Sequence, residues 1–121
     1  MFDLIFYKDK NGVSDIVNML DQLKIEALTS KTARINRQKI LAYMKALSEH
    51  GTMLGKPFVK HIEGDIWELR PLRNRIFFFY WKDDKYVLLH HFIKKTQKTP
   101  RREIDTAISK MNDYLEREEK P

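Results

Sequence analysis

The sequence predicts an α+β domain in which a helical hairpin and a C-terminal helix accompany an antiparallel sheet. Three short runs rich in aromatic and β-branched residues follow one another between Ile66 and Ile93, with polar breaks between them. Apolar residues recur at helical spacing before this region and again after it. The predicted order is therefore strand, two helices, three strands and a helix, in one domain over residues 1–121.

The three central runs are predicted to form an antiparallel meander, because short polar loops connect them. The strands are Ile66 to Arg70, Arg75 to Trp81 and Tyr86 to Ile93. A two-residue turn at Asp83-Asp84 would pair Phe79 with Leu88, Phe77 with His90, and Arg75 with Phe92. A four-residue loop at 71–74 would likewise set Arg70 opposite Arg75.

Alternation of side chains predicts one core face and one cationic face for this meander. The predicted core face carries Trp67, Leu69, Ile76, Phe78, Leu89, His91 and Ile93. The predicted cationic face carries Glu68, Arg70, Arg75, Phe77, His90, Phe92 and Lys94. Like charges opposite each other destabilise a sheet, so this face requires an external anion or a carboxylate such as Glu68 or Asp65. A solvated, salt-bridged surface is the alternative.

The flanking segments supply one further strand and three helices. Phe2 to Tyr7 is predicted to be a strand that joins the sheet, since a lone strand cannot bury its apolar side. Two amphipathic helices then form a hairpin, and the last helix begins at Thr99-Pro100, where proline is tolerated. Their apolar stripes comprise Val13, Ile16, Val17, Leu20 and Leu23; Ala33, Ile40, Met44 and Leu47; and Ile104, Ala107, Ile108, Met111 and Leu115.

Composition and charge narrow the class of protein. Lysine and arginine number 23 against 17 acidic residues, a balance of +6. The segment from Lys94 to Arg102 holds five cations and no acid, which predicts a polyanionic partner such as nucleic acid. The absence of cysteine excludes disulfides and thiolate metal sites and fits the cytoplasm. No apolar run is long enough for a membrane span, and no metal or cofactor is expected.

The cationic face suits phosphate chemistry, because the guanidinium fork matches phosphate oxygens. RNA can be cleaved when its own 2′-hydroxyl attacks the adjacent phosphate. This reaction needs a base, an acid and cations that stabilise the transition state. Arg70 and Arg75 can stabilise charge, with Lys94 or Lys95 beside them. The groups that can move protons are His90, His91 and Lys60, while Phe92 can stack an unpaired base. Phe58 to Ile62 approaches the first meander strand, which would bring Lys60 and His61 near the Arg70/Arg75 face.

Three phrases of the sequence resemble the RelE/ParE toxin superfamily in its HigB-like, phage-derived branch. They are Ile66-Trp67-Glu68-Leu69-Arg70, Arg75-Ile76-Phe77-Phe78-Phe79-Tyr80, and the run from Leu88 to Pro100, of which His90 to Pro100 is the most specific part. The resemblance implies a RelE-like fold and a type II toxin. Such a toxin is a ribosome-dependent endoribonuclease that cleaves translated mRNA and is neutralised by a cognate antitoxin, in a complex expected to be a higher-order heteromer.

The resemblance also implies roles for individual residues. The two arginines of RNA-cleaving members correspond to Arg70 and Arg75, their basic group to Lys94 and Lys95, and their upstream lysines most nearly to Lys60. The surrounding residues expected to bind RNA are Arg73, Phe92, Lys98, Arg101 and His61. Some members use a tyrosine in the C-terminal helix, but Tyr114 lies too far along, which leaves Lys60, His61 and His90 as candidates for the base.

Two alternatives stay open at this point. ParE-type relatives share the fold but inhibit DNA gyrase without catalytic residues. A nucleic-acid-binding module without enzymatic activity would use the same cations and leave the RNA intact.

Overall fold

The computed structural model describes residues 1–119 and consists of a five-stranded sheet between two helical layers. The strands are β1 (Asp3–Phe6), β2 (Val59–Glu63), β3 (Ile66–Leu69), β4 (Asn74–Tyr80) and β5 (Lys85–Ile93). The helices are α1 (Asp15–Glu26), α2 (Lys31–His50) and α3 (Arg101–Glu119), with one 3-10 turn at Gly51–Leu54. The predicted α+β architecture is confirmed, and it is consistent with a RelE-like fold.

The sheet differs from the prediction in two respects. Its order is β1-β5-β4-β3-β2, and β1 runs parallel to β5, so the sheet is mixed rather than wholly antiparallel. The sequence prediction also missed β2, which pairs with β3 at the edge of the sheet. Only Val59 of β2 is fully buried, and an exposed edge strand carries too few apolar residues to give a clear strand signal.

The helical hairpin packs on one face of the sheet. Ser14 and Ser30 cap α1 and α2, because their hydroxyls accept hydrogen bonds from Val17 N at 3.2 Å and Ala33 N at 3.1 Å. The buried residues of this layer are Ile16, Leu20, Ile40, Met44 and Leu47 from the helices, and Leu69, Ile76, Phe78 and Leu88 from the sheet.

A second core lies on the opposite face, beneath α3. Ala107 and Tyr114 of α3 pack with Phe77, Phe79, Leu89 and Phe92 of the sheet. The predicted cationic face is therefore covered by α3 over most of its aromatic residues, and its cations stay accessible beside the β3–β4 turn. The amphipathic stripe of α3 needs an apolar partner, and the aromatic residues of β4 and β5 provide it.

The predicted register of β4 and β5 is confirmed at one end and wrong at the other. Arg75 pairs with Phe92 and Phe77 with His90, as predicted. Phe79 pairs with Val87 instead of Leu88, because a three-residue turn at 82–84 shifts the pairing by one residue and a bulge at Leu89 shifts it back. The bulge also turns Leu89 towards α3, away from its predicted face.

Candidate nucleic-acid interface

A cation-lined cleft of about 580 Å³ opens between the β3–β4 turn and the segment that follows β5. We call it the cation cleft. The backbone holds its two sides together, since Lys94 N donates a hydrogen bond to Arg73 O at 2.8 Å. The lining residues are Arg70, Leu72, Arg73, Arg75, Lys94, Lys95, Thr96 and Gln97. The structure thus brings together five of the cations that the sequence analysis selected.

A buried carboxylate lies beneath these cations. Glu68 is 1% exposed, and its two oxygens lie 3.3 Å from Arg70 Nε and 3.7 Å from Arg75 Nε. Lys60 lies directly opposite Glu68 on β2. Glu68 Oε1 and both Nε atoms are buried without a hydrogen-bond partner, so these contacts are ion pairs without hydrogen-bond geometry.

In this cluster, burial changes the pKa values more than the attraction between opposite charges does. Desolvation raises the pKa of Glu68, although Arg75, Arg70, Lys94 and Lys60 act in the opposite direction. Desolvation also lowers the pKa of Arg75, despite the neighbouring Glu68. Both shifts mean that burial disfavours the charged forms of Glu68 and Arg75. Perturbed charges of this kind concentrate at functional sites.

The two arginines have different surroundings. Arg75 is 9% exposed, and its Nη1 donates to the carbonyl oxygens of Leu72 at 2.9 Å and Asn74 at 2.8 Å. It therefore fixes the β3–β4 turn while forming one wall of the cleft. The Arg70 side chain is 24% exposed, and Glu68 is its ion-pair partner among residues 1–119. Its terminal nitrogens form no hydrogen bond within residues 1–119, which leaves them available to a ligand.

His90 is held in a separate network on the same face. Its Nδ1 lies 3.1 Å from Asp15 and its Nε2 2.9 Å from Glu103, and Lys110 Nζ also bonds to Asp15 at 3.1 Å. Burial alone would lower the pKa of His90, but the hydrogen bonds to both carboxylates raise it. His90 connects the N-termini of α1 and α3 to β5. It does not line the cation cleft.

The structure places the other proton-transfer candidates outside the cleft. His61 pairs with Trp67, so it points to the face opposite Glu68, and its Nε2 contacts Gly64 O at 2.7 Å. His91 also points to the hairpin side, where it contacts Asn74 Oδ1 at 2.9 Å and burial lowers its pKa. Lys60 is exposed and on the correct face, but it does not line the cleft.

Three residues expected to bind RNA are also placed elsewhere. Phe92 is 8% exposed and stacks on His90, so little of its ring faces solvent, and its contact with an RNA base stays a prediction. Arg101 forms a two-pronged pair with Glu63, at 2.6 and 3.0 Å. Lys98 is exposed but outside the lining of the cleft.

Sequence reasoning missed three features of the site. Thr96 and Gln97 line the cleft through the bend after β5, which no periodicity predicts. The burial of Glu68 was also missed. Because side chains alternate along the strand, Glu68 lies on the same face as Phe77 and opposite to Trp67 and Leu69. That alternation was the signal that could have predicted its burial.

A family model described as phage derived protein Gp49-like (DUF891) matches residues 25–112, well over half of the chain and the whole of the cation cleft. The chain belongs to this family. The Gp49-like family is part of the RelE/ParE-like toxin superfamily and is associated with the toxins of toxin–antitoxin systems, which implies a cognate antitoxin. A search of curated proteins found no significant match. Within residues 1–119 of this Gp49-like protein, no helix has the length and apolar character needed to cross a bilayer.

Proposed function

We propose that this Gp49-like protein is the toxin of a type II toxin–antitoxin system and a ribosome-dependent endoribonuclease of the HigB-like kind. The observation that supports this proposal is the cation cleft, which is lined by Arg70, Arg73, Arg75, Lys94 and Lys95, two of which pair with the buried Glu68. Five cations against one carboxylate leave a strong positive field. A polyanion with closely spaced phosphates is the ligand that best matches it.

The proposed reaction is an attack by the 2′-oxygen of the message on the adjacent phosphorus. The 2′-hydroxyl loses its proton to a water molecule, the bond from phosphorus to the 5′-oxygen breaks, and that oxygen takes up a proton. The products are a 2′,3′-cyclic phosphate and a 5′-hydroxyl. Arg70 stabilises the charge that accumulates on the phosphate oxygens, and Lys94 or Lys95 protonates the leaving oxygen.

The cleft has no histidine in its lining, because His90 and His61 lie elsewhere. Rate enhancement therefore depends on charge stabilisation and on the conformation of the RNA rather than on a strong base. An RNA held with its 2′-oxygen in line with the scissile bond gains much of the needed acceleration from orientation alone. This is consistent with a reaction that occurs only on translating ribosomes and needs no metal ion.

Brief expression followed by primer extension on cellular messages tests the proposal. Discrete cuts within translated frames are expected for the wild-type chain. Arg70→Ala should remove them, whereas Lys82→Ala, at the far end of β4, should not. Intact messages combined with damaged DNA would contradict the proposal and indicate a gyrase inhibitor instead.

A further inference from the structure

An apolar groove of about 350 Å³ adjoins the cation cleft. Its walls come from the N-terminal part of α2, the β3–β4 turn and the end of β5. Leu72 and Ile93 are each 51% exposed and Ile35 is 46% exposed, so three large aliphatic side chains face solvent around one depression. Single exposed aliphatics are ordinary, but a clustered set marks an interaction site.

Leu72 adds an independent observation. Its backbone has φ of +57°, a left-handed conformation that is uncommon for leucine and usually taken by glycine or asparagine in turns. The hydrogen bond from Arg75 Nη1 to Leu72 O helps to hold this conformation. A strained turn residue that also exposes a large apolar side chain indicates a functional position.

We propose that the apolar groove and the cation cleft together bind one segment of a partner protein, with aliphatic side chains in the groove and neighbouring carboxylates in the cleft. Leu72 and Arg73 line both depressions, so the two sites are continuous. Charge complementarity requires the segment to be acidic beside its apolar part. The cognate antitoxin is the partner that the family implies. To that extent the inference rests on the proposed function, since the bound segment would cover Arg70 and Lys95 and so inhibit the toxin.

The lining of the groove favours a protein segment over a nucleobase. Bases in RNA-binding sites stack on aromatic rings and are read by free polar groups. This groove has aliphatic walls, and Asn74 already donates to Asn36 Oδ1 at 2.7 Å and to Pro71 O at 3.0 Å, while its own oxygen contacts His91. The polar atoms of the Asn74 side chain are therefore already engaged and not free to hydrogen-bond with the edge of a base.

The test is calorimetric titration with the purified cognate antitoxin, at low and high salt. Ile93→Asp and Ile35→Asp should each weaken binding tenfold or more. Ile25→Asp, on α1 and 62% exposed but outside the groove, should bind like the wild type. Arg73→Glu should weaken binding and flatten its salt dependence, whereas Lys82→Glu should not.

A second readout is growth arrest with and without the antitoxin. Ile93→Asp should remain toxic when expressed alone and should resist neutralisation. Wild-type affinity in both groove variants would overturn the inference. The inference would also be overturned if the groove variants bind a trinucleotide RNA more weakly but bind the antitoxin as the wild type does, because the groove would then be an RNA-binding site. If the wild-type chain cuts no message, the proposed nuclease fails, yet the measured antitoxin affinities still decide the docking surface.

Discussion

Glu68 Oε2 lies 3.3 Å from Arg70 Nε, beneath a cleft that five cations line. The carboxylate also lies 3.7 Å from Arg75, so one buried acid stands between two guanidinium groups from adjacent strands. Without it, the two like charges would repel each other across the sheet. We therefore propose that Glu68 is a positioning residue, which orients Arg70 towards the cleft.

Glu68→Gln tests this positioning role. The substitution keeps the shape of the side chain and removes its charge, so we expect message cleavage to fall about tenfold to a hundredfold while the fold is retained. Glu63→Gln, an exposed acid paired with Arg101, is the control and should cleave normally. Rates are measured on programmed ribosomes, with circular dichroism as the folding check. Unchanged cleavage by Glu68→Gln would show that Glu68 does not position Arg70 for the reaction.

Arg70 and Arg75 should differ in their effect on stability. Arg75→Ala removes two charged hydrogen bonds to turn carbonyls, so the free energy of unfolding should fall by about 2 kcal/mol or more. Arg70→Ala removes one partner of the buried Glu68 but no hydrogen bond to the turn, so the loss should be smaller, about 1 kcal/mol. Urea unfolding measures both. Equal losses would contradict the separate roles assigned to the two arginines.

The His90 network predicts a defined pH dependence of stability. The pKa of His90 is raised in the folded state, so its contribution is complete below the unfolded pKa of about 6.5 and is lost as pH rises through the folded pKa. Burial alone would raise the pKa of Asp15, but its hydrogen bonds to His90 and Lys110 lower it. Its contribution is therefore lost as pH falls below about 4.

His90→Gln should therefore destabilise the protein more at pH 6 than at pH 9. The loss at pH 6 is expected to be about 1.5–3 kcal/mol, the range for a buried charged hydrogen bond. His50→Gln, on an exposed histidine, provides the control. Denaturant unfolding at the two pH values gives the difference, and a larger loss at pH 9 would contradict the charged network.

The strand pairing at the site could be predicted from the sequence because loop lengths fix register. The loop at 71–74 predicted Arg70 opposite Arg75, and the observed pairing of Leu69 with Ile76 is in that register. The bulge at Leu89 could not be predicted, since a two-residue turn without a bulge and a three-residue turn with one give the same pairing at Phe77 and His90.

The environment of the site was harder to predict than its register. Periodicity predicted the apolar stripe of α3, but it carries no information on which face of the sheet that stripe covers. The burial of Phe92 and the contact of His90 with Glu103 follow from that docking, while Asp15 reaches His90 from the start of α1. Contacts between residues so distant in sequence leave no local pattern from which they can be inferred.

The chemistry of the proposed cut can be read from its products. Attack by the 2′-oxygen should leave a 2′,3′-cyclic phosphate on one fragment and a 5′-hydroxyl on the other. Enzymatic labelling of fragment ends distinguishes these from 3′-hydroxyl and 5′-phosphate ends. The latter pair would indicate attack by water and contradict the assignment.

The most direct test uses a message on programmed ribosomes with a single 2′-deoxy sugar at the position where the wild-type protein cuts. We predict that the all-ribose message is cleaved, and that either the deoxy substitution or Arg70→Ala reduces cleavage at least a hundredfold. Efficient cleavage of the deoxy message, or wild-type rates for Arg70→Ala, would contradict a nuclease centred on the cation cleft.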